Sequence, residues 1–312
     1  MKKILFLAFL LLLVPTAFAL SGTGIDEQMS ILTEPMAVQN GFIPQPLDCN
    51  QATGTVVAID ISKAQETDDA QNFINDLNTA GYYVATVDVS TQAGRDALSC
   101  VHVLVIWSLK NNVGISGIYT NEEVDTIENF VTSGGGFFFL SDWGGFASST
   151  ANLIARFGIV VDQNTATDSN DNDNGNSWWP IYEADNFIPS PIFDGVSAHE
   201  QLAGTSFIVG QGSPLIPVVK TDNDGSAYPQ NAPVVAAGFY QQGCMVVTGD
   251  SNWLQEFVDG YQKVDNDQFA LNIVDFLTRC NPGDVNIPEF GLIGGGIAII
   301  GALCAFFVLR RR

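Results

Sequence analysis

From residue 54 to residue 140 the chain alternates short, almost wholly apolar runs with amphipathic stretches of helical period. That alternation admits few folds other than a parallel sheet covered by helices. Thr55–Asp60 reads as a strand, Asp68–Ala80 as a helix with Ala70, Phe73, Ile74 and Leu77 on one side, and Tyr82–Asp88 as the next strand. Val101–Trp107 is a third apolar run. Thr120 with Glu123 then forms a capping box ahead of Val124, Ile127, Phe130 and Val131. Gly134-Gly135-Gly136 ends that helix, and Phe137–Leu140 reads as a strand buried on both faces.

Ser149–Phe157 continues the pattern as a helix ended by Gly158, with Ile159–Val161 as a short strand. Asp162 to Ser177 is rich in Asp, Asn, Thr and Gly, and reads as an exposed insertion. Phe207–Val209, Leu215–Lys220, Val234–Tyr240 and Cys244–Thr248 are further strands, the last two joined like a hairpin by Gln241-Gln242-Gly243. Asp265–Cys280 closes the domain as a helix carrying Phe269, Ile273, Phe276 and Leu277. No internal repeat is present. Residues 54–280 are therefore expected to form one doubly wound α/β domain with a mostly parallel, flavodoxin-like sheet, preceded by an extended leader over 20–53.

Several stretches in order carry a resemblance to a known family. They are Ile127–Val131 before Gly134–Leu140, Leu153–Gly158, Ser190-Pro191-Ile192-Phe193-Asp194-Gly195-Val196, and Val246-Val247-Thr248-Gly249-Asp250-Ser251. Together they resemble the class I glutamine-amidotransferase-like fold, in the branch that includes the GIFT-type domains. The resemblance implies, in catalytic members, a Cys on the turn after the strand matching Phe137–Leu140, and a His with an acid near the last strands. This chain has Ser141 at that turn, no G-x-[SC]-x-G elbow in Ser141-Asp142-Trp143-Gly144, and no His beside Gly249-Asp250-Ser251. His102 reads as a core residue within a strand and His199 as part of a polar loop. The catalytic centre is therefore expected to be absent.

What remains is a set of polar residues at the strand C-termini, where open α/β sheets bind ligands: Asp60, Ser108, Ser141, Asp142, Asp250 and Ser251. Convergent carboxylates in such a cleft suit Ca²⁺ or sugar hydroxyls, with Trp143 and Trp253 as stacking faces. The plainer expectation is that Asp142 and Asp250 cap the helices that follow. Two oxygen-rich loops are weaker calcium candidates, through Asp168, Asp171 and Asp173 in one and Asp222 and Asp224 in the other. The first is no EF-hand, because with Gly175 at the turn glycine Ile181 falls where that loop requires Glu. Apart from Ca²⁺ no cofactor is expected; zinc is disfavoured because no CxxC spacing occurs and His102 and His199 are the only histidines.

The two ends read as addresses. Lys2 and Lys3 precede an apolar run to Val14, and Ala17-Phe18-Ala19 offers a signal-peptidase site before Leu20, so residues 1–19 are expected to be a signal peptide. Gly291 to Leu309 carries no charge and is long enough to span a bilayer, with Arg310, Arg311 and Arg312 behind it on the cytoplasmic side. Pro288-Glu289-Phe290, this helix and the arginines resemble the PEF-CTERM sorting signal of archaeal surface proteins, separated from the domain by a linker over 281–287. That resemblance implies processing by an archaeosortase and attachment to a surface anchor; the plainer reading is a permanent transmembrane tail.

Five of the 12 basic residues sit at those ends, so the body of the chain is even more acidic than the overall charge of −22. Nucleic acid is thereby excluded as a partner, since binding a phosphate backbone needs clustered cations. An acidic, lysine-poor surface suits an extracellular protein in salty or calcium-containing water. Cys49, Cys100, Cys244 and Cys280 lie in the exported part and Cys304 in the apolar helix. Strand starts and helix ends share one face of a parallel α/β sheet, so all four are expected at its lower end, with the pairing Cys49–Cys100 and Cys244–Cys280 favoured among three. The expected function is an exported, cell-surface-anchored, non-catalytic binding or structural module of an archaeal envelope, with envelope glycans or proteins as partners. The alternative is an exported hydrolase acting on surface glycans or peptides through Asp142 and Asp250.

Overall fold

The computed structural model describes residues 44–63, 65, 70–109 and 117–279. The expected signal peptide at 1–19, most of the expected leader, Cys280, the expected linker, Pro288-Glu289-Phe290 and the apolar segment 291–309 lie outside the described residues. Among the described residues no helix is long and apolar enough to cross a membrane.

In chain order the elements begin with β1 (Val56–Asp60), α1 (Gln71–Thr79), β2 (Tyr83–Val87), α2 (Gln92–Ala97), β3 (Val103–Ile106), α3 (Asn121–Thr132) and β4 (Gly136–Leu140). Two short helices follow, α4 (Gly144–Ala147) and α5 (Ala151–Ala155). Next come β5 (Ile159–Val161), β6 (Thr167–Asp168), β7 (Ile181–Glu183), β8 (Ala198–Glu200) and β9 (Phe207–Val209). The chain then returns to longer elements with β10 (Leu215–Lys220), the short β11 (Ala227–Tyr228), β12 (Pro233–Tyr240), β13 (Gly243–Thr248) and α6 (Asn266–Thr278).

The main sheet has seven strands in the order β10-β12-β13-β4-β3-β1-β2. β2, β1, β3, β4 and β13 run parallel, while β12 is antiparallel to both its neighbours. The parallel part therefore winds outward in both directions from β1 and β3, the order of a flavodoxin-like sheet with its switch point between those strands. The expected mostly parallel α/β fold is present.

Each strand splits its side chains between two cores. In β4, Phe137 and Phe139 face the side covered by Val124, Ile127 and Val131 of α3, while Phe138 and Leu140 face Phe73 and Leu77 of α1 and Phe269 and Ile273 of α6. A strand buried on both faces has no polar side to alternate with, which is why this run contains no polar residue. α3 begins with the expected capping box: Thr120 accepts from the Glu123 N–H, and the Glu123 carboxylate accepts from the Thr120 N–H. Gly134, at φ +109°, lets the chain turn from α3 towards β4.

The stretch from 159 to 209 departs from expectation. β5 and Phe207–Val209 do not join the main sheet but pair with each other antiparallel, and β7–β8 and β6–β11 form two more two-stranded ribbons. The supposed exposed insertion is thus a folded layer, with Ala166 and Asp168 both buried. A polar segment can be buried here because its backbone groups are paired: Ala166 N donates to Gly204 O, Asp168 N to Ser177 O and Ala203 N to Trp178 O.

Residues 45–47 lie along the outer edge of β2, with Thr86 N donating to Gln45 O and Leu47 N to Thr86 O. Just beyond them Cys49 is bonded to Cys100, with 5.8 Å between their α-carbons. Cys244 is also in a disulfide. Its sulfur lies 3.7 Å from the carbonyl oxygen of Phe276 in the last turn of α6.

Candidate functional site

Parallel strands direct their C-terminal ends to one edge of the sheet, and the fold brings Asp60, Ser108, Ser141, Asp142, Asp250 and Ser251 to that edge. The expectation of an open cleft there is corrected: all six are buried, none more than 3% exposed.

At the switch point Asp60 ends β1 and serves as a hub. It accepts from Ser62 N and Oγ, Val89 N, Gln65 Nε2 at 2.7 Å and the Tyr119 hydroxyl at 3.0 Å. Burial raises its pKa, and these donors work against that rise. The crevice where a doubly wound sheet would receive a ligand is therefore filled by Gln65 and Tyr119. One strand along, Ser108 donates to Asp142 Oδ2 at 3.0 Å and lies 2.9 Å from the Ser251 hydroxyl. Asp142 Oδ1 accepts from Trp143 N.

Asp250 sits on the sharp turn after β13. Gly249 makes that turn because a Cβ there would collide with the Thr205 carbonyl oxygen. The carboxylate turns inward, Oδ2 accepting from Leu202 N at 2.6 Å and Oδ1 from Asn252 N at 3.0 Å. Burial pushes its pKa up. Asp142 and Asp250 thus hold separate sets of backbone donors. Asp250 accepts from the first N–H of the short helical turn Asn252–Leu254, but the N-cap of that turn is Ser251, so the expected cap is displaced by one residue. Asp142 likewise stands one residue too early to cap α4, whose N-cap residue is Trp143.

The aromatic and histidine expectations need correction as well. Trp253 is no stacking face: it is fully buried, packs on Phe138, His199 and Phe269, and donates Nε1–H to Asp250 O. Trp143 is half-buried, edge-on to Phe146. His102 is exposed just before β3, and its Nδ1 accepts from Val56 N. His199 is not in a loop but in β8, fully buried between Tyr182, Trp253 and Phe269.

The N-terminus of α6 fixes β8. Asn266 Oδ1 accepts from Glu200 N and lies 2.8 Å from His199 Nδ1, so that nitrogen carries the hydrogen and Nε2 is left as the acceptor. Desolvation lowers the His199 pKa to about 4, so the ring is neutral. Asp265 accepts from Ser197 N, Ser197 Oγ and Ala198 N. Behind this ribbon, Tyr182 OH, His199 Nε2, Glu200 Oε1 and Gln201 Oε1 are buried without a hydrogen-bond partner. Burial first, then Asp173, raises the Glu200 pKa to about 7, with Lys263 opposing. This polar interior was not foreseen; its one signal in the sequence was the run His199-Glu200-Gln201 inside an otherwise strand-like segment.

The weaker calcium candidates fare differently. Pairing of β6 with β11 draws the two oxygen-rich loops together, and Asp168, Asp171 and Asp222 place one carboxylate oxygen each within 4.8 Å of the others. Such a set can hold a divalent cation. Asp173 instead pairs with Lys263 at 2.8 Å, and Asp224 accepts from Ser226 N and Oγ. Beside Asp222 runs a groove of ≈ 510 Å³ lined by Asp185, Asn186, Lys220, Asp224 and Asn231. At the opposite edge of the sheet a groove of ≈ 470 Å³ is lined by Arg95, Ser99, His102, Asn129 and Thr278.

No family profile and no curated protein matches the sequence. Solved structures do match the fold. The N-terminal domain of mmIFT52 aligns with a TM-score of 0.59 at 16% identity, covering 74% of this chain and 100% of its own. A cytoplasmic protein of Salmonella typhimurium LT2 aligns with a TM-score of 0.50 at 12% identity, covering 72% and 99%. A ThuA-like protein of Bacteroides uniformis gives 0.49 at 14% identity, covering 76% and 97%. At these identities the likeness is one of fold alone, and at that level the first two agree with a mostly parallel α/β architecture.

Proposed function

We propose that this chain is an exported, disulfide-stapled, non-catalytic binding or structural module, carried to an archaeal cell surface and anchored there. The observation that supports it most is the filling of the strand C-terminal edge. The place where α/β enzymes of this architecture hold substrate is occupied here by the chain's own Gln65, Tyr119 and Leu202 bonding to Asp60 and Asp250. At the position where catalytic relatives would carry a nucleophile, the Ser141 hydroxyl is buried and bonds to no base. The neutral His199 is spent on core packing. The Cys49–Cys100 bond belongs with an oxidising compartment, as the signal peptide implies.

In this reading signal peptidase cuts before Leu20, Cys244 pairs with Cys280, and an archaeosortase acts near Pro288-Glu289-Phe290 before the apolar helix reaches its final state. GIFT-type kinship is the finer form of the fold assignment. Envelope glycans or proteins are then the partners, and they would meet the acidic outer surface. Intact-mass analysis and peptide mapping of the protein isolated from its envelope test this. The expected chain begins at Leu20, ends near residue 288, and has all four exported cysteines oxidised in the pairs given. A chain that keeps Met1 and reduced cysteines, recovered from the cell interior, would refute it.

A further inference from the structure

We infer that the groove between the segment 185–188 and the loop after β10 is a saccharide site, which takes an uncharged sugar through its hydroxyls. Its volume of ≈ 510 Å³ falls within the roughly 300–1,000 Å³ of small-molecule sites. The side chains of Asp185, Lys220, Asn223 and Asn231 line it and form no hydrogen bond or ion pair with any described residue. Every other described lysine and arginine is ion-paired: Lys63 to Glu123, Arg95 to Glu122, Arg156 to Asp125 and Glu128, Lys263 to Asp173, and Arg279 to Asp275. Among these cations Lys220 alone keeps its ammonium free, in a chain whose acids outnumber its bases 34 to 12.

The free set is one carboxylate, one ammonium and two carboxamides. Its charge sums to zero, and it offers donors and acceptors side by side. A sugar hydroxyl both donates and accepts, so adjacent hydroxyls on one ring match a mixed set of this kind. A phosphate would meet one cation among three carboxylates. The other two of these, Asp222 and Asp224, already accept from Asn186 Nδ2 and from Ser226 N and Oγ. Phe187 and Ile188 supply the apolar part of the lining, suited to the C–H face of a sugar ring, and Phe187 is held by stacking on Phe193 at 4.3 Å. The walls are fixed by the chain itself. Lys220 N donates to Asn186 O and Ile188 N to Val218 O at one wall, Thr221 N to Ala232 O and Asn231 N to Asp222 O at the other, and the Asn186–Asp222 bond joins the two. A site preorganised in this way loses little free energy to ordering when a ligand binds.

The site deepens the reading of the chain as a surface binding module and rests on it. Intact mass decides export and anchoring separately, so failure of the sugar site and failure of that reading are told apart. The test uses the full-length protein in a detergent without a sugar headgroup, titrated calorimetrically with glucose, galactose, mannose, N-acetylglucosamine and their disaccharides, and in parallel with glucuronate, inorganic phosphate and a lysine-rich peptide. At least one neutral sugar should bind at one site per chain. Lys220→Gln and Asn223→Ala should each weaken that binding about tenfold, the loss of one hydrogen bond to the ligand. Both residues are at least partly exposed, so these variants retain the fold. Asn129→Ala, in the groove at the opposite edge of the sheet, should leave binding unchanged. The site is overturned if no neutral sugar binds, if binding survives both groove substitutions, or if the phosphate, glucuronate or the basic peptide binds there in preference to every neutral sugar.

Discussion

Replacing Cys49 and Cys100 together by alanine is expected to lower the unfolding free energy by about 4 kcal/mol. The bond closes a loop across a sequence separation of 51, and loop-closure entropy for that length gives this figure. It ties the segment before β1 to the start of β3, two places held otherwise by modest forces. The segment bonds to the β2 edge through Thr86 and contributes Leu47 and Ala52, both only partly buried, to one core. Without the bond the unfolded chain gains freedom, and residues 44–52 can leave the edge of β2 while the rest remains folded. For a domain of this size the melting temperature should fall by roughly 10 °C. Amide exchange at Leu47 and Thr86 should accelerate ahead of exchange in β3 and β4. An unchanged denaturant midpoint would mean that the leader's contacts already hold it without the sulfur bridge.

At pH 8 the variant Glu200→Gln should be more stable than the wild type, and at pH 4 the two should be alike. Glu200 is buried in β8 with Oε1 unpaired, and its pKa rises from 4.5 to about 7. The native state therefore holds a proton that the unfolded chain has already released. Stability from this group is fully present below pH 4.5 and is lost as pH rises through 7. By linkage the loss is about 3 kcal/mol once the group is ionised in both states. Gln keeps the shape and cannot ionise, so the variant is spared that loss. Asp250, also raised by burial, slopes the same way. His199 slopes oppositely: its folded pKa lies near 4 against 6.5 unfolded, so stability is lost as pH falls from 6.5 towards 4. With two such groups against one, the net contribution of the three still falls with rising pH between 4.5 and 6.5, by roughly 1.4 kcal/mol per pH unit, and comparison with Glu200→Gln isolates one group. Melting curves in EDTA across pH 4 to 8 give the answer, and a variant less stable than the wild type at pH 8 would contradict it.

The parts of the fold that could be read in the sequence are those whose burial is continuous. β1, β3, β4 and β13 are short, mostly apolar runs buried along their whole length, and the Thr120–Glu123 capping box marks the start of α3 to the residue. The parts that escaped are held by tertiary bonds instead of patterning. α2 has no buried residue, and starts because Thr91 caps Gly94 N. β6, β7, β8 and β11 are two or three residues long, and each pairs with a partner that sequence distance hides. The same reason misplaced the histidines. His199 is carried into the core by the side chain of Asn266, a contact across 67 positions that no local period announces. Of the site, the residues at the strand C-termini were found because topology places them. Their closure was not, because Leu202 and Tyr119 reach them from loops. The convergence of Asp168 and Asp171 with Asp222 follows from the β6–β11 pairing and was visible only as two loops of similar composition.

That closed edge is the premise of the non-catalytic reading, and Ser141→Cys probes it directly. Sulfur replaces an oxygen that is buried and makes no hydrogen bond, at the turn after β4. Thiol labelling of the native variant, counted against the parent protein, should find no additional reactive group. Denaturation should then reveal one. If the introduced thiol instead labels in the native protein at the rate of an exposed cysteine, the edge is open to solvent and the closed, non-catalytic reading is contradicted.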